Sequence, residues 1–312
     1  MIKNTTKRKT KSIIKKGVIA SFSCFATFSA MGPMASAKTY TFKKTDTKFI
    51  AHAGYASKAA DKNTEKSFVQ AGKAGFWGCE TDIRETKDHV LVCAHHDSCD
   101  KKGVSIKNMT WKTLQKKVPN ITSYGTYLRL CVKYKMVPVI DLKAKLSDTG
   151  YKKLFDYLYT NKYKSKGNYN YFVKNGKKIE FTKEAQLSSL YLTGKKYKGE
   201  SVQPNMISPA VNYCKKHYNT YKVKKPVTMY FVNTKRLSEM NNAKSLCSKY
   251  GLSWIGLRAP QMNKDYANYC RENKIKMNVW YEAGYGKESP ARLHQLIHKF
   301  NVDSVSTNQK WW

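Results

Sequence analysis

The chain has 312 residues, with 58 lysines and arginines against 21 aspartates and glutamates, giving a formal net charge of +37. An excess of this size favours anionic partners such as anionic lipid, wall polyanions or nucleic acid. It is mostly lysine, and neither a nucleic-acid motif nor an aromatic–basic stripe accompanies it, so specific nucleic-acid binding is not expected.

Residues 1–16 contain Lys3, Lys7, Arg8, Lys9, Lys11, Lys15 and Lys16 and no acid. A stretch of apolar and small residues runs from Gly17 to about Met34, and Ala35-Ser36-Ala37 follows. A basic start, a short apolar middle and a small-x-small ending describe a secretory signal. The middle is too short and interrupted for a comfortable spanning helix. Residues 1–37 are therefore expected to be a signal peptide, and the product to be secreted or held at the cell surface. The remaining 38–312 carry 51 basic and 21 acidic residues, a net charge of +30. Seven cysteines remain there, an odd number, with no Cys-x-x-Cys metal spacing. Cys93 and Cys99 form the only pair close in sequence, and most of the others read as buried small hydrophobes.

In chain order, Phe49 to His52 reads as a strand running into a Gly54 turn. Thr64 to Ala74 has helical spacing, with Phe68, Ala71 and Ala74 on one face and Gly75 ending it. Cys79 to Arg84 is a second strand, and Val90 to Ala94 a short one after a turn at Lys87-Asp88-His89. Trp111 to Lys116 reads as a helix capped by Thr110, and Tyr127 to Tyr134 as another. Val137 to Leu142 is a strand and Thr149 to Tyr159 a helix. Residues 160–185 are dominated by Lys, Asn, Gly and Tyr and read as an exposed excursion. Strands follow at Leu187–Leu192, Val227–Val232, Ser253–Leu257, Met277–Tyr281 and Ser304–Ser306. Helices at Leu237–Tyr250, Lys264–Asn273 and Pro290–Phe300 separate the later ones. Alternating strands and helices imply parallel strands with crossover helices. The strand count and the 275 residues available predict a single-domain (β/α)8 TIM barrel over 38–312.

Sites on such barrels lie where strands end. His52 ends the first strand. Glu80 and Asp82 lie two apart on the second, so they face the same way. Two acids on the inward face of an apolar strand repel and desolvate each other unless a cation holds them. Asp141 and Lys143 repeat the spacing at the end of the Val137–Leu142 strand, and His95-His96-Asp97 follows the short one. Three carboxylates make an oxygen-rich cradle for a hard divalent cation, Ca²⁺ or Mg²⁺. Such a cation polarises a phosphoryl oxygen. Lys143 can neutralise another, and two histidines can serve as base and acid. The set describes phosphodiester cleavage.

These residues resemble a known family. Ala51-His52-Ala53-Gly54-Tyr55, Asn63-Thr64 with Ser67-Phe68, Gly78 through Asp88, Val90-Leu91-Val92 and His96-Asp97 are similar in order and spacing to the glycerophosphodiester phosphodiesterases. Thr110-Trp111 and Val139 to Lys143 extend the likeness, and it returns more weakly at Asn278-Val279-Trp280 and Ser304 to Asn308. The resemblance implies His52 and His96 as the acid/base pair and Glu80, Asp82 and Asp141 as metal ligands. It implies Lys143 as a phosphate contact and Trp280 as a wall of the glycerol pocket. It also implies attack by a neighbouring substrate hydroxyl to give a cyclic phosphate that water opens. The insertion that many members carry after the second main strand is short here. Ala53 stands where the family has a phosphate-binding Arg, Lys62 where it has Glu, Asp141 where Glu is usual, and Tyr281 and Asn308 where Thr and Asp are usual. The expected substrate is a small or polymeric phosphodiester, with an anionic wall or membrane surface as a further partner. The departures leave a second reading open: a barrel weakened in catalysis that binds anionic wall polymer or lipid.

Overall fold

The computed structural model describes residues 47–98, 103–160, 162–163, 167, 169–191, 206–232, 237–280 and 289–310. The expected leader, Cys99 and Tyr281 lie outside them. The chain enters through β1 (Lys48–Ala51) and then α1 (Glu65–Ala74). Thr64 caps α1: its hydroxyl accepts from the Ser67 backbone while the Ser67 side chain accepts from the Thr64 backbone, so two otherwise unpaired donors are satisfied. Gly75, at φ 81°, ends the helix in the left-handed region.

After β2 (Gly78–Glu85) comes a small antiparallel appendage of β3 (Leu91–Cys93), α2 (Trp111–Lys117) and β4 (Thr122–Ser123). Next are α3 (Tyr124–Tyr134), β5 (Val137–Leu142) and α4 (Asp148–Tyr159). A hairpin of β6 (Tyr171–Lys174) and β7 (Lys177–Glu180) leads through α5 (Phe181–Glu184) to β8 (Gln186–Tyr191). The remainder alternates: α6 (Ile207–Lys216), α7 (Tyr218–Tyr221), β9 (Val227–Val232), α8 (Leu237–Tyr250), β10 (Leu252–Arg258), α9 (Lys264–Glu272), β11 (Lys276–Trp280), α10 (Pro290–Phe300) and β12 (Ser304–Thr307).

Eight strands pair in parallel in the order β1-β2-β5-β8-β9-β10-β11-β12, and β12 pairs with β1 to close the ring. The predicted (β/α)8 barrel is therefore what the chain forms, within one compact unit of residues 40–312. No described helix is long and apolar enough to cross a membrane.

The middle of the chain departs from expectation. Residues 160–185 are not simply an exposed excursion, because Tyr169, Phe172 and Phe181 are buried. Asn175 and Gly176, both at positive φ, turn β6 into β7, the backbone sense a tight hairpin requires. Folding back this way lets Phe172 meet Phe181 edge-on at 6.0 Å. Helix α6, assigned no structure from sequence, buries Ile207, Ala210, Val211 and Cys214 at helical spacing.

Three cores result among the described residues. The largest packs the outer faces of the strands against the helices. A second, in the β3–α2 appendage, holds Val92, Ala94, Val104, Ile106 and Leu114. The third holds Ile50, Val139, Val227, Met229 and Trp254. These come from β1, β5, β9 and β10, and strands so far apart around the ring can touch only across the barrel axis. That contact fixes which face of each strand points inward. Two residues further along each strand the inward positions reach the C-terminal mouth. The six described cysteines are buried free thiols, as their apolar settings suggested.

Candidate active site

The inward positions at the mouth carry the residues singled out from sequence. Glu80 and Asp82 lie on β2 and Asp141 on β5, level with Asp82 in the strand register. All three are buried, and one carboxylate oxygen from each lies within 4.8 Å of the others. Lys143, one residue past β5, places its Nζ 2.7 Å from Asp141 Oδ2 and 3.0 Å from Asp82 Oδ1.

The three acids are not equivalent. Burial raises the Glu80 carboxyl well above its ordinary value, and the charges of Asp82 and Asp141 push it further. Asp141 is also raised, by burial foremost, with Lys143 pulling it back and Asp82 pushing it up. Burial works against the Asp82 charge too, but Lys143, His95 and a hydrogen bond from Asn63 outweigh it and hold Asp82 well below the usual carboxylate range. Lys143, although half-buried and opposed by desolvation, is held well above its ordinary value by Asp141, Asp82 and Glu80. One acid is thus firmly ionised against Lys143, while the other two keep their protons more tightly than in water. Asp141 Oδ1 is buried and finds no donor among the described residues. Crowded carboxyls and an orphaned oxygen fit a hard divalent cation, which would take the place of the protons.

The loop after β1 organises this cradle. Ala53 adopts φ 54° and its N–H donates to Glu80 Oε2 at 2.6 Å. Its carbonyl accepts from Asn63 N at 2.8 Å and Ser67 Oγ at 3.2 Å. Gly54 follows at φ 78°, and a Cβ there would meet Ser67 Oγ at 2.3 Å, so only glycine lets the loop lie against α1. Asn63, at φ 59°, donates from Nδ2 to Asp82 Oδ2 at 2.6 Å, while its Oδ1 accepts from Thr81 Oγ1 at 2.9 Å and Asp82 N at 3.1 Å. Asn63 therefore orients Asp82. From sequence it had stood out only as a motif position opening a helix.

His52 follows β1, and its N–H donates to Thr307 O at 3.1 Å. Burial, with the charges of Lys62 and Lys143, pushes its imidazole down to about 4, against the pull of Asp82 and a hydrogen bond with Asn308. It is neutral at physiological pH, and its Nδ1 is buried with no partner among the described residues.

His96 stands after β3, in a loop held by Arg84, whose Nε and Nη2 donate to His95 O at 3.0 and 2.8 Å. Asp97 anchors the far side, accepting from Ser105 Oγ at 2.7 Å. The two histidine rings meet edge-on at 4.3 Å, with His95 Nδ1 3.2 Å from His96 Nε2. His95 lowers the Asp82 pKa and is itself pushed down to about 4, by desolvation first. The second histidine of the site is therefore one of a touching pair, which the spacing alone did not show.

Trp280 ends β11 on the opposite wall. It meets Phe231 of β9 edge-on at 5.7 Å, and the Arg258 guanidinium of β10 lies 5.3 Å from its ring centre. Gly256 makes that contact possible: a Cβ there would sit 2.4 Å from Phe231 Cδ1.

A closed parallel barrel whose mouth joins a carboxylate cluster to paired histidines defines a hydrolase of the phosphodiesterase class. The sequence profile of the glycerophosphoryl diester phosphodiesterase family matches residues 52–309, and the chain belongs to that family. It is accordingly a phosphoric diester hydrolase by membership. Among curated proteins none matches. Similar solved structures include a glycerophosphodiester phosphodiesterase from Parabacteroides distasonis, 17% identical with a TM-score of 0.56, covering 84% of this chain and 93% of that one. One from Thermotoga maritima is 15% identical with a TM-score of 0.55, over 85% and 96% of the two chains. An Oleispira antarctica phosphodiesterase, solved with the product sn-glycerol-3-phosphate, is 13% identical with a TM-score of 0.55, over 85% and 94%. At these identities the likeness carries the fold.

Proposed function

We propose that this chain is an exported, divalent-metal-dependent phosphodiesterase acting on glycerophosphodiesters or related lipid or wall phosphodiesters. The observation that carries the reading is the gathering of Glu80, Asp82 and Asp141 around Lys143, beside a histidine kept neutral at the mouth. The export half rests on the leader-like residues 1–37.

Glu80, Asp82 and Asp141 are the residues that would hold the cation, Ca²⁺ or Mg²⁺ by their all-oxygen character. When bound it supplies Lewis-acid polarisation of a phosphoryl oxygen. His52, unprotonated at neutral pH, accepts the proton of the attacking hydroxyl as that oxygen bonds to phosphorus. His96 gives a proton to the alcohol oxygen as its bond to phosphorus breaks. Attack by a neighbouring substrate hydroxyl, as the family resemblance implies, leaves a cyclic phosphate, which water opens with the histidine roles reversed. Lys143 stays protonated throughout, orients Asp82 and Asp141, and faces the phosphate.

The test is hydrolysis of glycerophosphocholine or a chromogenic diester, with and without chelator, by wild type, His52→Ala and His96→Ala. Chelation is expected to abolish turnover reversibly, and each histidine variant to lose about 10²–10⁴-fold in kcat. No metal-dependent turnover on any diester, with salt-sensitive binding of anionic polymer that survives loss of both histidines, would instead favour a binding role.

A further inference from the structure

The carboxylate cradle has a neighbour that the catalytic reading leaves out. Ser188 lies on β8, in register with Asp141 of β5 on one side and with Met229 of β9 on the other. Its direction follows from its surroundings. Met229 belongs to the core across the axis, and Leu187, one residue before Ser188, to the outer core. Side chains alternate along a strand, so Ser188 points inward at the level of Asp141. It is fully buried.

The Ser188 hydroxyl meets no hydrogen-bond partner among the described residues, and neither does Asp141 Oδ1. Gln186 Oε1 is orphaned as well, two residues earlier on the same face of β8. Three buried oxygens without partners therefore gather on two adjacent strands. Elsewhere inside the barrel the inward hydroxyls are satisfied: Ser304 and Ser306 of β12 accept from Asn278 Nδ2 at 2.8 and 3.1 Å. An unpaired polar group in a barrel interior costs stability, so the cluster calls for a partner that brings its own donors. Met229 offers only a thioether, and Asp141 Oδ2 is already engaged by Lys143 at 2.7 Å.

A water bound to a cation is such a partner. A hard divalent cation takes about six or more oxygens, more than three carboxylates at single atoms provide, and waters make up the rest. Asp141 is one methylene shorter than the glutamate that the family resemblance leads one to expect, which leaves space on its side of the cradle. We propose that Ser188 is a positioning residue of the cation site, holding a water of the cation's oxygen shell between β5 and β8. The lone pair of that water faces the cation, and its hydrogens go to Asp141 Oδ1 and Ser188 Oγ. The Ser188 hydroxyl then donates to Gln186 Oε1, and all three orphaned oxygens are paired. The inference rests on the metal-dependent reading and adds a residue to it.

The experiment is calorimetric titration of the substrate-free protein with Mg²⁺ and with Ca²⁺, alongside melting in chelator, for wild type, Ser188→Ala, Ser188→Thr and Ser188→Val. Ser188→Ala is expected to bind the cation about tenfold more weakly. In chelator it should melt no lower than wild type, because it removes an unpaired buried hydroxyl. A hydroxyl that merely supported the barrel would give the reverse: a lower melting point and unchanged affinity. Threonine and valine have the same shape and differ in the hydroxyl, so their comparison isolates that group even if alanine disturbs the packing. Ser188→Thr should bind close to wild type and Ser188→Val at least about tenfold more weakly. Equal affinities for Ser188→Thr and Ser188→Val, or a Ser188→Ala that binds as wild type does, would overturn the inference and leave the metal-dependent reading standing. A wild type that binds neither cation would overturn both. Weakened binding in Ser188→Ala and Ser188→Val, with no diester turned over by wild type, would support the role of Ser188 and count against the phosphodiesterase reading alone.

Discussion

The wall of the mouth formed by β1, β2 and β5 and the wall formed by β9, β10 and β11 are built differently. On the first, Asp82 is fixed by Asn63 and Lys143, Glu80 by the Ala53 N–H, and the loop carrying both contacts is locked against α1 through Gly54 and Ser67. On the second, Phe231, Trp280 and Arg258 meet through rings and a guanidinium face, and Gly256 makes room beside Phe231. The first arrangement suits a reaction common to every phosphodiester, because acid and base groups must be held within a fraction of an ångström. The second suits the glycerol portion, for which the family resemblance implies Trp280 as a wall. Ala53 sits on the first wall where related chains are expected to carry a cation, and the second wall carries Arg258.

Removing a charge from the first wall should give the largest effect. Asp82→Asn keeps the shape but takes away the carboxylate that Lys143 and Asn63 hold ionised. Turnover is expected to fall by more than about a hundredfold, and the rise in melting temperature on adding divalent cation to vanish. A variant still stabilised by the metal would remove Asp82 from the ligand set.

Next in size is the scaffold behind that wall. Asn63→Ala deletes a bond to a buried carboxylate and two further hydrogen bonds, and puts alanine at a positive φ. Chemical denaturation should show a loss of about 2–4 kcal/mol. A loss below about 0.5 kcal/mol would mean that Asp82 needs no such support.

The acid cluster also gives a pH signature in the metal-free protein. Glu80 and Asp141 hold protons more tightly folded than unfolded. Their contribution to stability is present at acid pH and lost as pH rises through their raised folded values, above the ordinary carboxylate value of about 4. His52 acts oppositely: its folded value of about 4 lies below its ordinary one, so its contribution is lost as pH falls from about 6.5 towards 4. Comparing wild type with Glu80→Gln across pH isolates the acid. The metal-free variant should melt higher at neutral pH, and the gap should close on acidification.

The smallest expected effect lies at Lys62, whose charge is the second cause, after burial, of the lowered His52 value. Lys62→Glu should move the acid limb of the pH–rate profile upward, by less than about one unit at a partly exposed side chain. An unmoved limb would assign it to a group other than His52.

Much of the first wall was legible in the sequence. Acids spaced two apart inside an apolar run, as in Glu80-Thr81-Asp82, have few explanations other than a cation, and Asp141-Leu142-Lys143 repeats the spacing with an acid and a base, on strands whose boundaries hold within two residues. The role of Asn63 was not legible, because it depends on a left-handed backbone and a partner on another element. The second wall was nearly invisible. Arg258 is one arginine at the end of an apolar strand, and nothing local shows that its face is the inward one. That becomes clear only once Trp254 is seen across the axis from Ile50. The β6–β7 hairpin was missed for a different reason: the Asn175-Gly176 turn was present, but lysines flanking it masked the alternation of Phe172 and Ile179.

The most direct test of the central claim is a metal titration of the purified protein while glycerophosphodiester hydrolysis is followed. The account predicts no turnover in chelator, recovery with Ca²⁺ or Mg²⁺ that saturates at one ion per chain, and recovery to no more than about a hundredth of the wild-type rate for His52→Ala although it still binds the ion. Full turnover in chelator, or a His52→Ala that recovers the wild-type rate, would contradict it.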